Sequence, residues 1–184
     1  WPFFNHTMPY NKSLRRIVNF NLFMKLFEDN LLKSIRDSLL KNGETISIAE
    51  SVTSGLLQFA MSNTMDTIQF FQGGITAYNA NQKFRQLNVE PMHALSVNCV
   101  SEQVAIQLAV NVRNKFQSDY GIAITGYASP VPESGDKLFA YYAIAHHTRT
   151  LFSQRLNAEP MEGIGVQLYY VNEILRSFAE VLKT

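Results

Sequence analysis

Apolar side chains recur every four residues near the start of the chain, with charged residues between them: Phe27, Leu31, Ile35 and Leu39. This period predicts an amphipathic helix, and Gly43 just beyond it is a typical helix terminator. Continuous apolar or β-branched runs follow later in the chain, and they predict four strands with bounds of 45–49, 73–78, 121–125 and 138–145. Residues 149–155 are predicted to pair with the fourth strand as a hairpin.

Helices are predicted between these strands. One begins near Thr53, the next is capped by Asn79 and carries Lys83, and another is capped by Ser101. A last apolar stripe over 164–182 predicts a closing helix. Because helices alternate with the early strands and a hairpin comes late, we expect a three-layer α/β/α fold with a mixed sheet and a C-terminal helix.

The length of 184 residues is sufficient for one domain with a short appendage. Residues 1–23 contain three cations and no acid, and we expect them to form an N-terminal extension to a domain over 24–184. The stretch lacks the uninterrupted apolar region and the small-residue cleavage site of a secretory signal.

Lys and Arg number 16 against 15 Asp and Glu, a balance that argues against a nucleic-acid partner. No apolar run is long enough to predict a membrane span. The single cysteine, Cys99, excludes an intramolecular disulfide, and we expect a cytoplasmic protein. The apolar content of 46% is compatible with a homo-oligomer.

Candidate chemistry lies where strands end and helices begin, since ligand sites in open α/β sheets form at the carboxyl ends of strands. The first such junction carries Ser51, Thr53 and Ser54. A hydroxyl there is exposed to ligands, and neighbouring backbone N–H groups can stabilise an oxyanion. The alternative is that these hydroxyls only cap a helix.

The second junction places Lys83 one helical turn after Asn79, so that its amine can reach back to the loop. A desolvated lysine can lose its proton and serve a serine as general base. The alternative is a solvated surface lysine. A third junction, Thr125-Gly126, allows a ligand to approach closely, or it is an ordinary strand-ending turn.

We expect no metal site and no cofactor. The three histidines after residue 90 show no metal-ligand spacing with Cys99 or a carboxylate. If His146 and His147 lie on a strand, their side chains must point to opposite faces. The sequence also lacks the common nucleotide-binding and hydrolase motifs.

Four motifs in order resemble the CinA C-terminal-domain family, across roughly residues 30–145. The motifs are Ile48-Ala49-Glu50-Ser51-Val52-Thr53-Ser54-Gly55-Leu56-Leu57, Gly73-Gly74-Ile75-Thr76-Ala77-Tyr78-Asn79 leading to Lys83, Val100-Ser101-Glu102, and Ala123-Ile124-Thr125-Gly126. The domain that precedes this one in longer members is not in the sequence, so the chain is similar to the stand-alone form.

The resemblance implies an amidase that hydrolyses the carboxamide of nicotinamide mononucleotide, a small-molecule nucleotide, without a metal. It implies that Ser51 is the nucleophile, Lys83 the general base and then acid, and Tyr78 a residue that positions both. The substrate-binding residues that it implies are Glu50, Thr53, Gly74, Thr125 and Gly126.

The chain also departs from the family pattern. Ser54 stands where a glycine is usual, the loop over 127–137 is bulkier, and residues 157–162 bring acid where the family often has an arginine. A phosphate is usually bound by arginine or a helix N-terminus. Two interpretations therefore stay open, a working amidase and a binding or interaction module that has lost turnover.

Overall fold

The computed structural model describes residues 26–147, 149–161 and 164–183. Its elements in chain order are α1 (Asp29–Asn42), β1 (Ile46–Glu50), α2 (Leu56–Ser62), β2 (Phe71–Thr76), α3 (Ala80–Leu87), α4 (Pro91–Ser96), α5 (Glu102–Phe116), β3 (Tyr120–Gly126), β4 (Leu138–His146), β5 (Arg149–Ala158) and α6 (Gly165–Val181). The predicted extension over 1–23 lies outside the described residues.

The five strands form one mixed sheet in the order β2-β1-β3-β4-β5. β1 runs parallel to β2 and β3, while β4 is antiparallel to β3 and to β5. Helices α1, α2 and α6 contribute to one apolar core and α3, α4 and α5 to another, so the sheet lies between two helical layers. The prediction of a three-layer α/β/α fold with a mixed sheet and a C-terminal helix is confirmed.

The two faces of the sheet differ in side-chain size because large and small residues alternate along the central strands. Ile48 and Ile122 lie in the core with α1 and α6, whereas their neighbours Ala49 and Ala123 lie in the core under α5. Alternate residues of a strand point to opposite faces, so the alternation gives one thick and one thin layer.

The thin layer brings α5 close to the sheet at Gly121. A Cβ atom built on Gly121 would lie 2.1 Å from the Ala109 carbonyl oxygen of α5 and 2.8 Å from Arg113 Cβ. Only glycine leaves room for this helix.

Most predicted elements are present, with two differences. β2 begins and ends two residues earlier than predicted, since Ala77 and Tyr78 already belong to the turn before α3. The sequence reasoning also missed α4, a six-residue helix whose first turn begins with Pro91 and is capped by the Glu90 carboxylate. Among the helices of the described ranges, none has the length and apolar content that a membrane crossing requires.

His146 and His147 do not both lie on a strand, so the condition under which they would point to opposite faces is not met. β4 ends at His146, and His147 takes a left-handed backbone conformation with φ of 48°. This turn brings the two imidazole rings together, with their centroids 4.0 Å apart.

Candidate active site

Ser51 directly follows β1, at the carboxyl edge of the sheet, and its side chain is buried. The chain then turns sharply through Ser54 and Gly55, both with positive φ, before α2 begins. Ser51 does not cap that helix: its hydroxyl oxygen lies 3.0 Å from Lys83 Nζ. The capping interpretation of Ser51 is therefore wrong.

Lys83 reaches Ser51 from α3, whose start is fixed by Asn79. The Asn79 side chain accepts a hydrogen bond from the Gln82 N–H, as an N-cap residue does. One turn later the Lys83 side chain extends back toward β1, and only 2% of it is exposed. The alternative of a solvated surface lysine is wrong.

The Lys83 amine has three oxygen neighbours and no carboxylate partner among the described residues. Nζ lies 3.0 Å from Ser51 Oγ, 2.9 Å from the Ala77 carbonyl oxygen and 3.4 Å from the Tyr78 carbonyl oxygen, so that a neutral amine can donate to the two carbonyls and accept from the serine hydroxyl. Burial lowers the pKa of Lys83 below its usual 10.5, and the nearby Cys99 thiol opposes this only in part. Desolvation without an ion-pair partner favours the neutral amine, which can accept a proton from the serine.

A cavity of about 550 Å³ opens beside this pair. Its wall includes Ser51, Lys83 and the third predicted junction, Thr125-Gly126. The Thr125 hydroxyl donates to the Cys99 carbonyl at 2.8 Å, which ties the end of β3 to the loop before α5. The structure thus brings all three predicted junctions to one hollow.

Tyr78 also lines this cavity, and its backbone and side chain have different environments. Its backbone carbonyl accepts from Lys83, whereas its side chain is 73% exposed. Any positioning of Lys83 by Tyr78 is therefore performed by the backbone, and the ring is left available to a ligand.

Three predicted substrate-binding residues are not among the residues that line the cavity. Glu50 is buried, and its carboxylate accepts from the Thr53 hydroxyl and from the N–H groups of Gly55, Leu57 and Gln58. These two residues therefore hold the start of α2. Gly74 lies in β2, where a Cβ would come within 2.5 Å of the Ile48 carbonyl oxygen. Glu50, Thr53 and Gly74 therefore stabilise the backbone around the site and do not line the cavity.

The cavity is also lined by side chains that the sequence reasoning did not assign to the site. Tyr127 Oη accepts a hydrogen bond from Asn98, and Gln167 of α6 donates to the Val52 carbonyl at 2.8 Å. Glu133 adds a carboxylate. Of these residues, Tyr127 and Glu133 belong to the loop over 127–137, whose bulk was visible in the sequence. Asn98 and Gln167 lie outside the motifs, and no pattern in the sequence connected them with the site.

The lining of the cavity is poor in positive charge. Among its described residues Lys83 is the one basic side chain, and its amine contacts Ser51. The arrangement can therefore activate a hydroxyl next to a hollow, but it offers no arginine to a phosphate group.

The geometry defines a class, namely α/β proteins with a buried serine–lysine pair at the carboxyl edge of a mixed sheet. The family model described as the CinA C-terminal domain matches residues 28–176. The chain belongs to this family.

A "CinA-like protein" of Prochlorococcus marinus is 33% identical over 158 residues, which are 84% of this chain and 36% of that protein. The chain thus spans about a third of the length of this relative. Two solved structures also match 84% of the chain with TM-scores of 0.79. One is a CinA superfamily protein from Enterobacter cloacae, which is 28% identical and of whose chain 91% is matched. The other is a competence or damage-inducible protein from Enterobacter asburiae, which is 26% identical and of whose chain 97% is matched.

Proposed function

We propose that the protein is an amidase that hydrolyses the carboxamide of nicotinamide mononucleotide to nicotinic acid mononucleotide and ammonia. The observation that carries the proposal is the 3.0 Å approach of Lys83 Nζ to Ser51 Oγ, both buried at the wall of the cavity. A weak nucleophile such as serine needs an adjacent base, and a desolvated lysine supplies one.

The first half of the reaction forms an acyl-enzyme. Neutral Lys83 takes the Ser51 proton while Oγ attacks the carboxamide carbon and the carbonyl π electrons move to oxygen. When the tetrahedral intermediate collapses, the C–N bond breaks and Lys83 returns the proton to the departing nitrogen, which leaves as ammonia. Lys83 ends this half neutral, and the acyl group is esterified to Ser51.

The second half repeats the same proton path with water. Lys83 takes a proton from the attacking water, and then returns it to Ser51 Oγ as the ester bond breaks. The carbonyls of Ala77 and Tyr78 support the transiently charged ammonium in both halves, because they accept from the same amine. Thr125 and the exposed ring of Tyr78 both line the cavity, and we expect them to contact the substrate.

A second candidate is a binding module that has lost turnover. The charge of the cavity favours it, since Glu133 is present and Lys83 is the one basic side chain among the described lining residues. A mononucleotide phosphate would find no arginine there, so that its recognition would depend on backbone groups and on the N-terminal end of α6, near Gln167.

Ammonia release from nicotinamide mononucleotide and from its unphosphorylated nucleoside tests both candidates. We expect release by the wild type, its loss in Ser51→Ala, and an acyl-enzyme detectable by mass spectrometry after rapid acid quench. Ser129→Ala, which removes a hydroxyl from the same cavity wall, is the matched control and should stay active. Negligible release from both substrates by the wild type, together with measurable binding of either, would establish the binding module instead.

A further inference from the structure

A second cluster of functional side chains lies at the edge of the sheet opposite to Ser51. Glu44 precedes β1, His146 is the last residue of β4, and His147 follows it in the turn. One ligand atom from each of the three lies within 4.8 Å of the other two. Six residues, including all of β1, lie between Glu44 and Ser51, which corresponds to a distance on the order of 20 Å in an extended strand.

The cluster is held together by local contacts. His146 Nε2 is 2.9 Å from Glu44 Oε1, and the Asn42 side chain donates to the other Glu44 oxygen at 3.1 Å. The His146 ring stacks on Tyr120, with centroids 4.2 Å apart. These contacts fix the orientation of a carboxylate and an imidazole before any ligand binds.

His147 completes the cluster because its backbone is left-handed and turns the ring toward His146. Its N–H donates to the Asp119 carbonyl at 3.0 Å, and its Nδ1 lies 3.9 Å from Asp119 Oδ1. The other Asp119 oxygen accepts from the N–H and hydroxyl of Thr45. Asp119 therefore places a second carboxylate near the His147 ring, at a distance longer than a hydrogen bond.

We propose that Glu44, His146 and His147 form a binding site for a divalent transition-metal ion, with Zn²⁺ as the representative ion. Two imidazoles and one carboxylate suit Zn²⁺, whereas Mg²⁺ and Ca²⁺ prefer sites made of oxygen ligands. The charges of Glu44 and Asp119 together balance that of the ion.

Only small movements are needed to bind the ion. Tetrahedral zinc with bonds of about 2.0–2.1 Å holds its ligand atoms roughly 3.3 Å apart. The Glu44–His146 pair at 2.9 Å must open slightly. His147, whose side chain is 59% exposed and whose ligand atom lies within 4.8 Å of the other two, must move inward by at most roughly 1.5 Å. The bound ion would tie together the segment before β1 and the β4–β5 turn.

Isothermal titration of the full chain with Zn²⁺, after treatment with a chelator and desalting, tests the site. We expect one ion per chain with an apparent Kd below about 100 µM. His147→Asn should weaken binding at least about tenfold, because it removes an imidazole, while asparagine tolerates the left-handed backbone. Glu44→Gln should weaken it similarly.

Matched control variants test whether the two remaining histidines of the sequence contribute to zinc binding. His93→Asn and His6→Asn should leave the Kd unchanged. With Co²⁺ as a probe, wild type should show the visible absorption of a tetrahedral nitrogen and oxygen site, and His147→Asn should lose it. A wild-type Kd weaker than the stated limit, or an unchanged Kd in His147→Asn, would overturn the proposal.

Discussion

Replacement of Lys83 by methionine separates chemistry from folding. The amine lies 3.0 Å from Ser51 Oγ and is almost fully buried. Methionine occupies a similar volume and keeps the apolar part of the side chain, but it can neither accept nor return a proton. Lys83→Met therefore removes the proposed base while filling the space that it occupied.

The expected loss follows from the role assigned to the amine. A positioned general acid or base contributes about 10²–10⁴-fold to the rate, or roughly 3–5 kcal/mol of activation free energy. The Ala77 and Tyr78 carbonyls each lose a hydrogen bond worth about 1 kcal/mol, but the cost of burying the amine is also removed. We therefore expect kcat to fall at least about 10²-fold with a shift in Tm below about 5 °C.

The assay is ammonia release at saturating substrate, with Tm read by circular dichroism. Lys41→Met, which changes an exposed lysine of α1, is the matched control and should retain the wild-type rate. Retention of more than about a tenth of wild-type kcat by a folded Lys83→Met protein would refute the assignment, since loss of the general base must cost more than that.

The pH dependence of the wild type provides a separate check. Only neutral Lys83 can act as base, so kcat/KM should rise with pH through the pKa of Lys83, which burial places below 10.5. Between that pKa and its usual value the unfolded chain binds more protons than the native protein. The free energy of unfolding of wild type should therefore rise with pH relative to Lys83→Met across this interval, and stay level above it. If kcat/KM rises only around pH 10.5, the Lys83 amine has the pKa of a solvated lysine and the reasoning is refuted.

Further predictions concern the residues that stabilise the site and the sheet, and the effect of a chelator. Glu50→Gln should lower the free energy of unfolding in urea by about 2–3 kcal/mol, because an amide nitrogen would face a donor, while Glu159→Gln, at an exposed position, should change it little. Ser54→Gly should raise it by about 0.5 kcal/mol, because glycine relieves the φ of 53°; destabilisation would contradict this strain. Gly121→Ala should lower it by at least about 2 kcal/mol through the collision with α5, and a neutral effect would disprove the tight packing. Ammonia release should survive a chelator, since no step is assigned to a metal.

The central strands were predictable from their continuous apolar runs. The edge of the sheet at which Ser51 and Lys83 lie was predictable too, because parallel strands place their carboxyl ends together. The pairing of the two side chains was implied by the family resemblance, since capping and a solvated lysine were open alternatives on the residues alone. Asn79 carried the additional information, because an N-cap fixes where the helix starts and hence where Lys83 points.

Other features depend on contacts or backbone angles that the pattern of residues does not reveal. The role of Glu50 depends on the direction of its side chain, which lies toward the first N–H groups of α2 and away from the cavity. The meeting of His146 and His147 depends on one φ angle at the end of β4. Helix α4 is too short to give an apolar period, and its Glu90 cap and Pro91 lie in a segment that resembles a loop.

Tyr78 contacts Lys83 through its backbone carbonyl and the solvent through its ring, and this has a consequence for which substitutions the position tolerates. Because its carbonyl holds the Lys83 amine and its ring points into solvent at the cavity, any amino acid at this position presents the same acceptor to the lysine. Substitution of the ring can therefore change which molecules enter the cavity without removing this backbone contact to Lys83.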